Sequence, residues 1–204
     1  MPNTQKDDSF LGEGYKIPST SKYTKFAEGV NTFRILAKPI KGMEYWKTTD
    51  DNKRVPIRKR MTEQVVLSDV EVDPRSGKRE VKHFWAMPVY NYRDECIQIM
   101  EITQKTIQEA ILSYSENPKW GNPIQYDITI NKTGTGKETT KYMVDHDPKE
   151  EMSKEIANLF ANTKINLEAL FDGKDPFEQA GEVGETLDDV IDSMAEKKEE
   201  EMPF

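Results

Sequence analysis

Positive charge and aromatic rings coincide in one stretch of this chain, residues 16–93. The stretch holds 17 Lys and Arg residues against nine Asp and Glu, a local formal charge of about +8. A nucleic-acid strand that is bound without sequence preference needs cations for its phosphates and flat rings on which its bases stack, each ring contributing about 1–3 kcal/mol. These residue types therefore indicate a surface for single-stranded nucleic acid.

The positive charge is densest in residues 54–60. Four cations within seven residues repel one another, so we expect a phosphate partner rather than an ordinary solvated surface. The candidate phosphate contacts are Arg54, Arg58, Lys59, Arg60, Lys78, Arg79 and Lys82.

Four rings are candidates for base stacking: Tyr45, Trp46, Phe84 and Tyr90. Successive side chains of a strand point to opposite faces, so Phe84 shares the face of Lys82 while Trp85 lies on the other. We expect the Lys82 face to be the wetter one, which makes Phe84 a stacking candidate and Trp85 a core candidate. The alternative for each ring is a place in the hydrophobic core.

Enzyme motifs are missing from the sequence. Residues 134–137 (GTGK) resemble a phosphate-binding loop, but that motif requires glycine at the position of Asn131 and Ser or Thr at that of Glu138. The two histidines and the single cysteine lack the spacing of zinc ligands. We therefore expect a protein that is not an enzyme and that has no metal or other cofactor.

The elements that must position these residues are mostly strands. Alternating apolar residues predict strands at 33–37, 64–72, 81–92, 97–102, 126–130 and 139–144. A helical stripe predicts one helix over 104–116 with Thr103 as N-cap, and Asp147-Pro148 with Glu150 predicts the start of a second. A mainly β chain with one or two helices fits an OB-fold-like small β-barrel.

The end of the chain differs from the rest in charge. Residues 165–204 contain 13 acidic side chains against three lysines, which leaves a formal charge of about +2 on residues 1–164. We predict three parts: a flexible segment at 1–15, a domain at 16–177 and a disordered acidic tail at 178–204. The tail ends in a candidate protein-docking tip of Glu199, Glu200, Glu201, Met202, Pro203 and Phe204. The alternative is a tail that only increases solubility.

Length and composition set the remaining expectations. The 204 residues leave room for one domain of roughly 150 residues beside the tail. A single cysteine excludes a disulfide framework. No signal peptide and no stretch of roughly 20 apolar residues is present, so we expect a soluble intracellular protein without a membrane partner.

Several stretches together resemble the single-stranded DNA-binding proteins of tailed bacteriophages, of the helix-destabilising type. The resemblance is carried by NTFRIL at 31–36, GMEYW at 42–46, HFWA at 83–86, QKTI at 104–107, WGNPIQYDI at 120–128, DPF at 175–177 and the acidic tip. It implies an OB-fold core that coats single-stranded DNA during replication, recombination and repair in the cytoplasm of an infected bacterium. The tip would recruit replication and recombination proteins. Some relatives hold zinc through a Cys/His cluster, for which this chain has no residues.

Three alternatives remain open beside this hypothesis. The same fold could anneal complementary strands in recombination, or the acidic tail could mimic nucleic acid and occupy a basic site on another protein. The domain could also be the OB-fold accessory domain of an enzyme such as a ligase. A monomer is the preferred hypothesis for the oligomeric state.

Overall fold

The computed structural model of the protein describes residues 21–74, 76–136 and 139–177. These residues form one sheet of seven strands, all paired in antiparallel fashion. The strands are β1 (Gly29–Ile35), β2 (Ile40–Thr48), β3 (Arg54–Arg60), β4 (Lys82–Asn91), β5 (Cys96–Ile102), β6 (Asp127–Thr133) and β7 (Lys141–His146). The helices are α1 (Lys105–Glu116), α2 (Lys154–Asn162) and three 3-10 helices, Leu67–Asp69, Pro123–Gln125 and Leu167–Asp172. The prediction of a mainly β fold is confirmed.

Strand β4 is the centre of the sheet. One of its edges pairs with β2 over residues 82–86 and with β1 over residues 89–91, and the other edge pairs with β5. The path runs β3-β2-β4-β1-β6-β7, with β5 beside β4. Strands β1 and β2 therefore lie one after the other along the same edge of β4, and residues 36–39 connect them. Along the pairings of the described residues this sheet is open, and the closed barrel of an OB-fold stays a prediction.

The two faces of β4 belong to two separate hydrophobic clusters. The larger cluster lies under α1 and contains Phe33, Met87, Ile102, Ile107 and Ile128, among others. The smaller one lies on the opposite face and contains Phe84, Ala86, Ile99 and Leu170. Leu170 comes from the 3-10 helix Leu167–Asp172, so a segment from the end of the domain covers the face of β4 that holds Phe84.

The predicted strand at 64–72 is wrong. Only the 3-10 helix Leu67–Asp69 and an isolated bridge between Val72 and Arg79 occur there. The apolar residues of this segment are largely exposed, with Leu67 at 62% and Val66 at 53%, and only Val70 is buried. A segment with an alternating apolar pattern does not form a β-strand when no neighbouring strand is available to hydrogen-bond with it.

Both predicted helix starts also need correction. The N-cap of α1 is Gln104 rather than Thr103. Helix α2 starts at Lys154, where the side chain of Ser153 accepts a hydrogen bond from the Ile156 N–H, and not at Asp147. Residues 147–150 form no helix and are instead held against β6 and the 3-10 helix before it: the Asp147 N–H donates to the Asp127 carbonyl (3.0 Å) and the Glu150 N–H to the Gln125 carbonyl (2.9 Å).

A buried ion pair joins β1 to β6. The guanidinium of Arg34, whose side chain is 3% exposed, donates through Nε to the Asp127 carboxylate and through Nη1 to the Glu150 carbonyl at 3.0 Å. Burial and a hydrogen bond with Asp127 raise the pKa of the neighbouring Tyr92 to about 12. The pair therefore ties β1, β6 and the segment after β7 together in a poorly solvated site.

Two predicted segments fall outside the described residues: the flexible one at 1–15 and the tail at 178–204 with its docking tip. None of the helices in the described part of the chain has the length and apolar composition needed to span a bilayer.

Candidate nucleic-acid interface

The predicted arginines lie together on one face of the sheet. Register places Arg60 opposite Gly42, Arg58 opposite Glu44 and Pro56 opposite Trp46. Because side chains alternate along a strand, Arg54, Arg58 and Arg60 share the face of Trp46 and Phe84, while Lys59 points to the other side. We call this the arginine face. The structure thus brings most of the predicted residues together.

Carboxylates from other elements already neutralise this cluster. The Arg54 guanidinium pairs with Glu71 at 2.9 Å, and that of Arg60 pairs with Glu168 at 2.9 Å. The Lys59 ammonium pairs with Glu63 at 3.4 Å. The mutual repulsion of these cations is therefore already offset, by the nearby Glu63 and by Glu71 and Glu168 from farther along the sequence, so their contact with phosphates stays a prediction that repulsion alone does not support.

Arg58 is the most enclosed of the four cations. Its guanidinium lies between the carboxylates of Glu44 (3.2 Å) and Glu101 (2.9 Å), and its side chain is only 11% exposed. Burial raises the pKa of Glu101, and Glu44 raises it further, against the opposing effect of Arg58. A phosphate would have to displace both carboxylates, so Arg58 is a structural residue.

Two of the four predicted stacking rings are in the core. Phe84 is fully buried and Tyr45 is 4% exposed, so neither can offer a ring face to a base. The Phe171 ring packs on the Phe84 ring at 5.8 Å between centroids, in the space left free by the missing side chain of Gly42. The prediction of a wet face around Phe84 fails because a segment about 85 residues later in the chain covers it.

The other two rings are half-buried. Arg54 stacks over the Trp46 ring with its guanidinium carbon 4.6 Å from the centroid. Tyr90 packs edge-to-face against Tyr92 at 5.1 Å, and burial raises its pKa. Each of these two rings is therefore only partly accessible, because a neighbouring side chain already packs against it.

The hollow beside Trp46 has the wrong charge for a polyanion. It measures about 380 Å³, and its lining carries Arg54 and Lys82 against four carboxylates, those of Glu44, Glu71, Asp73 and Glu80. Of the remaining predicted cations, Lys78 is exposed, and the Arg79 guanidinium donates to the carbonyls of Ser68 (3.3 Å) and Val70, which holds the 61–81 connection in place.

A second groove, on the opposite face of β4, combines a ring with excess positive charge. Two adjoining hollows of about 420 and 210 Å³ share Trp85 and Leu112, and we call them together the Trp85 groove. Their charged lining residues have a formal charge of +3 and are Lys38, Lys41, Lys105 and Glu109, together with Lys82, which lies on the Phe84 face at the first residue of β4 and also lines the hollow beside Trp46. This is the more favourable surface for a nucleic-acid backbone.

The lysines of this groove are available to a ligand. Lys38 and Lys41 are exposed and have no carboxylate partner in the described ranges. Lys82 pairs with Glu80 at 3.5 Å and Lys105 with Glu109 at 3.3 Å, both as exposed pairs, which contribute at most about 1 kcal/mol. A phosphate can compete with such pairs at little cost.

Trp85 lies at the centre of the groove. It is half-buried, and its indole Nε1 is shielded from solvent without an acceptor among the described residues. The exposed His83 ring stands edge-on to it at 6.3 Å. Trp85 was predicted as a core residue, and the structure instead places it where one part of the indole packs on the core and another lines the groove.

The fold positions these groups through strand register and one buried amide. Lys41 is the direct cross-strand neighbour of Trp85, so both side chains lie on one face of the sheet. The Gln108 side-chain amide donates to the carbonyls of His83 (3.1 Å) and Ile102 (2.9 Å), which fixes α1 against β4. The sequence signal that could have revealed the site is the pair of lysines around Pro39, immediately after β1.

No protein-family model, curated protein or solved structure matches this chain. Within the described residues, His, Cys, Asp and Glu side chains form no group of three or more suited to a metal ion. The resemblance to phage single-stranded DNA-binding proteins therefore stays a prediction that rests on the motifs of the chain itself.

Proposed function

We propose that this chain is a non-enzymatic, sequence-independent single-stranded DNA-binding protein. The observation that carries the proposal is the Trp85 groove, where an accessible indole adjoins four lysines and a single glutamate. The role follows from the phage resemblance: the protein coats and protects single strands in replication, recombination and repair, in the cytoplasm of an infected bacterium.

The contacts explain why no sequence preference is expected. Lysine ammonium groups interact with phosphates, which are the same in every nucleotide. An indole stacks on the π-face of any base and contributes about 1–3 kcal/mol. A duplex keeps its bases inside the stack, so the groove favours a single strand.

The acidic tail has two roles in this proposal. Residues 178–204 carry ten carboxylates against two lysines, so they compete with DNA for the basic groove when no DNA is bound. Once DNA occupies the groove, the tip from Glu199 to Phe204 is released to recruit replication and recombination proteins. The glutamates steer the tip to a basic pocket, and the Phe204 ring anchors it.

A titration of a fluorescent oligo(dT), single-stranded or in a duplex, tests the function. We expect preferential binding of the single strand, with a log–log salt slope of about −0.7 per neutralised phosphate. Engagement of all four groove lysines gives a slope of about −3. Binding to neither form contradicts the proposal and favours the alternative in which the tail mimics nucleic acid. An assay of duplex formation from complementary strands separates a coating protein from an annealing one.

Removal of residues 178–204 is expected to tighten DNA binding. The truncated chain loses a formal charge of −8 that competes with phosphates for the same lysines. The gain is largest at low salt, where charges act over about 30 Å at 0.01 M, and shrinks at 0.15 M. Fluorescence titration of both chains at several salt concentrations measures it. Equal affinities of the two chains at low salt would rule out competition by the tail.

A further inference from the structure

One end of the Trp85 groove closes into a small apolar pocket. This pocket, of about 210 Å³, lies between the 36–39 connection, α1 and the 3-10 helix Pro123–Gln125. Its apolar lining includes Ile35, Trp85, Met87, Ile111 and Ile124. We call it the α1 pocket.

The pocket has the size of one aromatic heterocycle. An apolar cavity of about 150 Å³ accommodates benzene, whereas pockets for drug-sized ligands measure about 300–1,000 Å³. The α1 pocket lies between these values and has a polar rim. A planar ring of nucleobase dimensions fits it better than a larger cofactor.

Two polar side chains of the lining can recognise the edge of such a ring. The Asn122 Oδ1 accepts a hydrogen bond from the Ile124 N–H at 3.2 Å, and its amide nitrogen has no partner within the described residues. The Ser115 hydroxyl donates to the Leu112 carbonyl at 2.8 Å and keeps its lone pairs as acceptors. The lining therefore offers a donor and an acceptor beside an apolar interior.

Positive charge at the same pocket identifies the class of ligand. Lys38 and Lys41 both line it and have no carboxylate partner in the part of the chain that the structure describes. A neutral apolar ligand would give these ammonium groups nothing to bind. A nucleotide within a strand supplies a ring for the pocket and a phosphate on each side of it.

We propose that the α1 pocket takes up one nucleobase of the bound strand, turned out of the stack. The base packs against Trp85 and Ile111 and meets Asn122 and Ser115 at its edge, while the adjacent phosphates contact Lys38 and Lys41. This inference rests on the proposed function. It adds a subsite that binds the base of a nucleotide rather than its phosphate.

A pair of matched helix variants and a pair of ligands test the subsite. Ser115→Leu adds an apolar side chain to the pocket, whereas Ser113→Leu makes the same change at an exposed position of α1 outside its lining. The full-length chain and both variants are titrated with oligo(dT) and with an oligonucleotide of the same length and charge that contains only abasic residues. Ala37→Leu fills the pocket from the opposite wall and serves as a second test.

We expect Ser115→Leu and Ala37→Leu to weaken oligo(dT) binding about tenfold, the contribution of one stacked base. Both variants should bind the abasic strand as the unchanged chain does, and Ser113→Leu should bind both ligands normally. Unchanged oligo(dT) affinity in both pocket variants, or an equal loss for both ligands, would overturn the base subsite. Failure of the unchanged chain to bind either ligand would instead refute the proposed function.

Discussion

Replacement of both Lys38 and Lys41 by glutamine is expected to weaken single-stranded DNA binding by roughly a hundredfold at low salt. Each charge-assisted contact to a phosphate contributes about 1.5 kcal/mol or more, and two such losses correspond to about 3 kcal/mol. The log–log salt slope should become shallower by about 1.4, because two fewer phosphates are neutralised. Fluorescence titration with oligo(dT) at several salt concentrations measures both quantities.

The matched control exchanges two lysines that already have carboxylate partners. Lys22 pairs with Asp175 at 2.5 Å and Lys59 with Glu63 at 3.4 Å. The double variant Lys22→Gln/Lys59→Gln changes the net charge by the same amount, so we expect it to leave the salt slope nearly unchanged. The opposite result is a large loss of DNA affinity in the control and none in the groove variant. It would place the DNA near Lys59 and support the phosphate contacts predicted from the sequence.

Replacement of Arg34 by methionine is expected to lower the free energy of unfolding by about 3–5 kcal/mol. The change leaves the Asp127 carboxylate, 16% exposed, without its cation, and the Glu150 carbonyl loses a donor. A buried charge without a partner costs this much, whereas the intact pair contributes little net stability. For a domain of this size the midpoint of thermal unfolding should fall by about 6–20 °C. Urea denaturation provides the measurement.

Two further variants make this prediction specific. Lys105→Met removes one member of an exposed pair whose side chains are 85% and 60% accessible, and should cost less than about 0.5 kcal/mol. The double variant Arg34→Met/Asp127→Leu removes both charges and should recover most of the stability, because an apolar pair of similar volume can replace a buried ion pair. A loss below 1 kcal/mol for Arg34→Met would show that Asp127 is well solvated in solution.

Local elements of this fold follow from local sequence. The stripe of Ile107, Ile111 and Tyr114 predicts α1, and its end at Asn117 before Pro118 is confirmed. The apolar alternation at Tyr126, Ile128 and Ile130 predicts the hairpin of β6 and β7. Such patterns act through neighbours within one element, so the residues that decide them are adjacent in the sequence.

The candidate interface was predicted less well, and the errors share one cause. Alternation along β4 correctly places Phe84 and Trp85 on opposite faces, but it does not say which face another segment covers. That depends on Leu170 and Phe171, which pack on Phe84 from the far end of the domain. The wetter side of β4 consequently holds Trp85.

The ion pairs likewise separate what the local sequence predicts from what the tertiary structure decides. The sequence by itself determined a mainly β domain, an excess of cations and rings in residues 16–93 and an acidic end, because composition and short-range periodicity carry that information. Only the tertiary structure decided which cations are free. Glu71, Glu101 and Glu168 reach the arginine face from other elements, whereas nothing in the described chain reaches Lys38 and Lys41. An ion pair forms where the folded backbone brings two side chains within about 4 Å, whatever their separation in sequence.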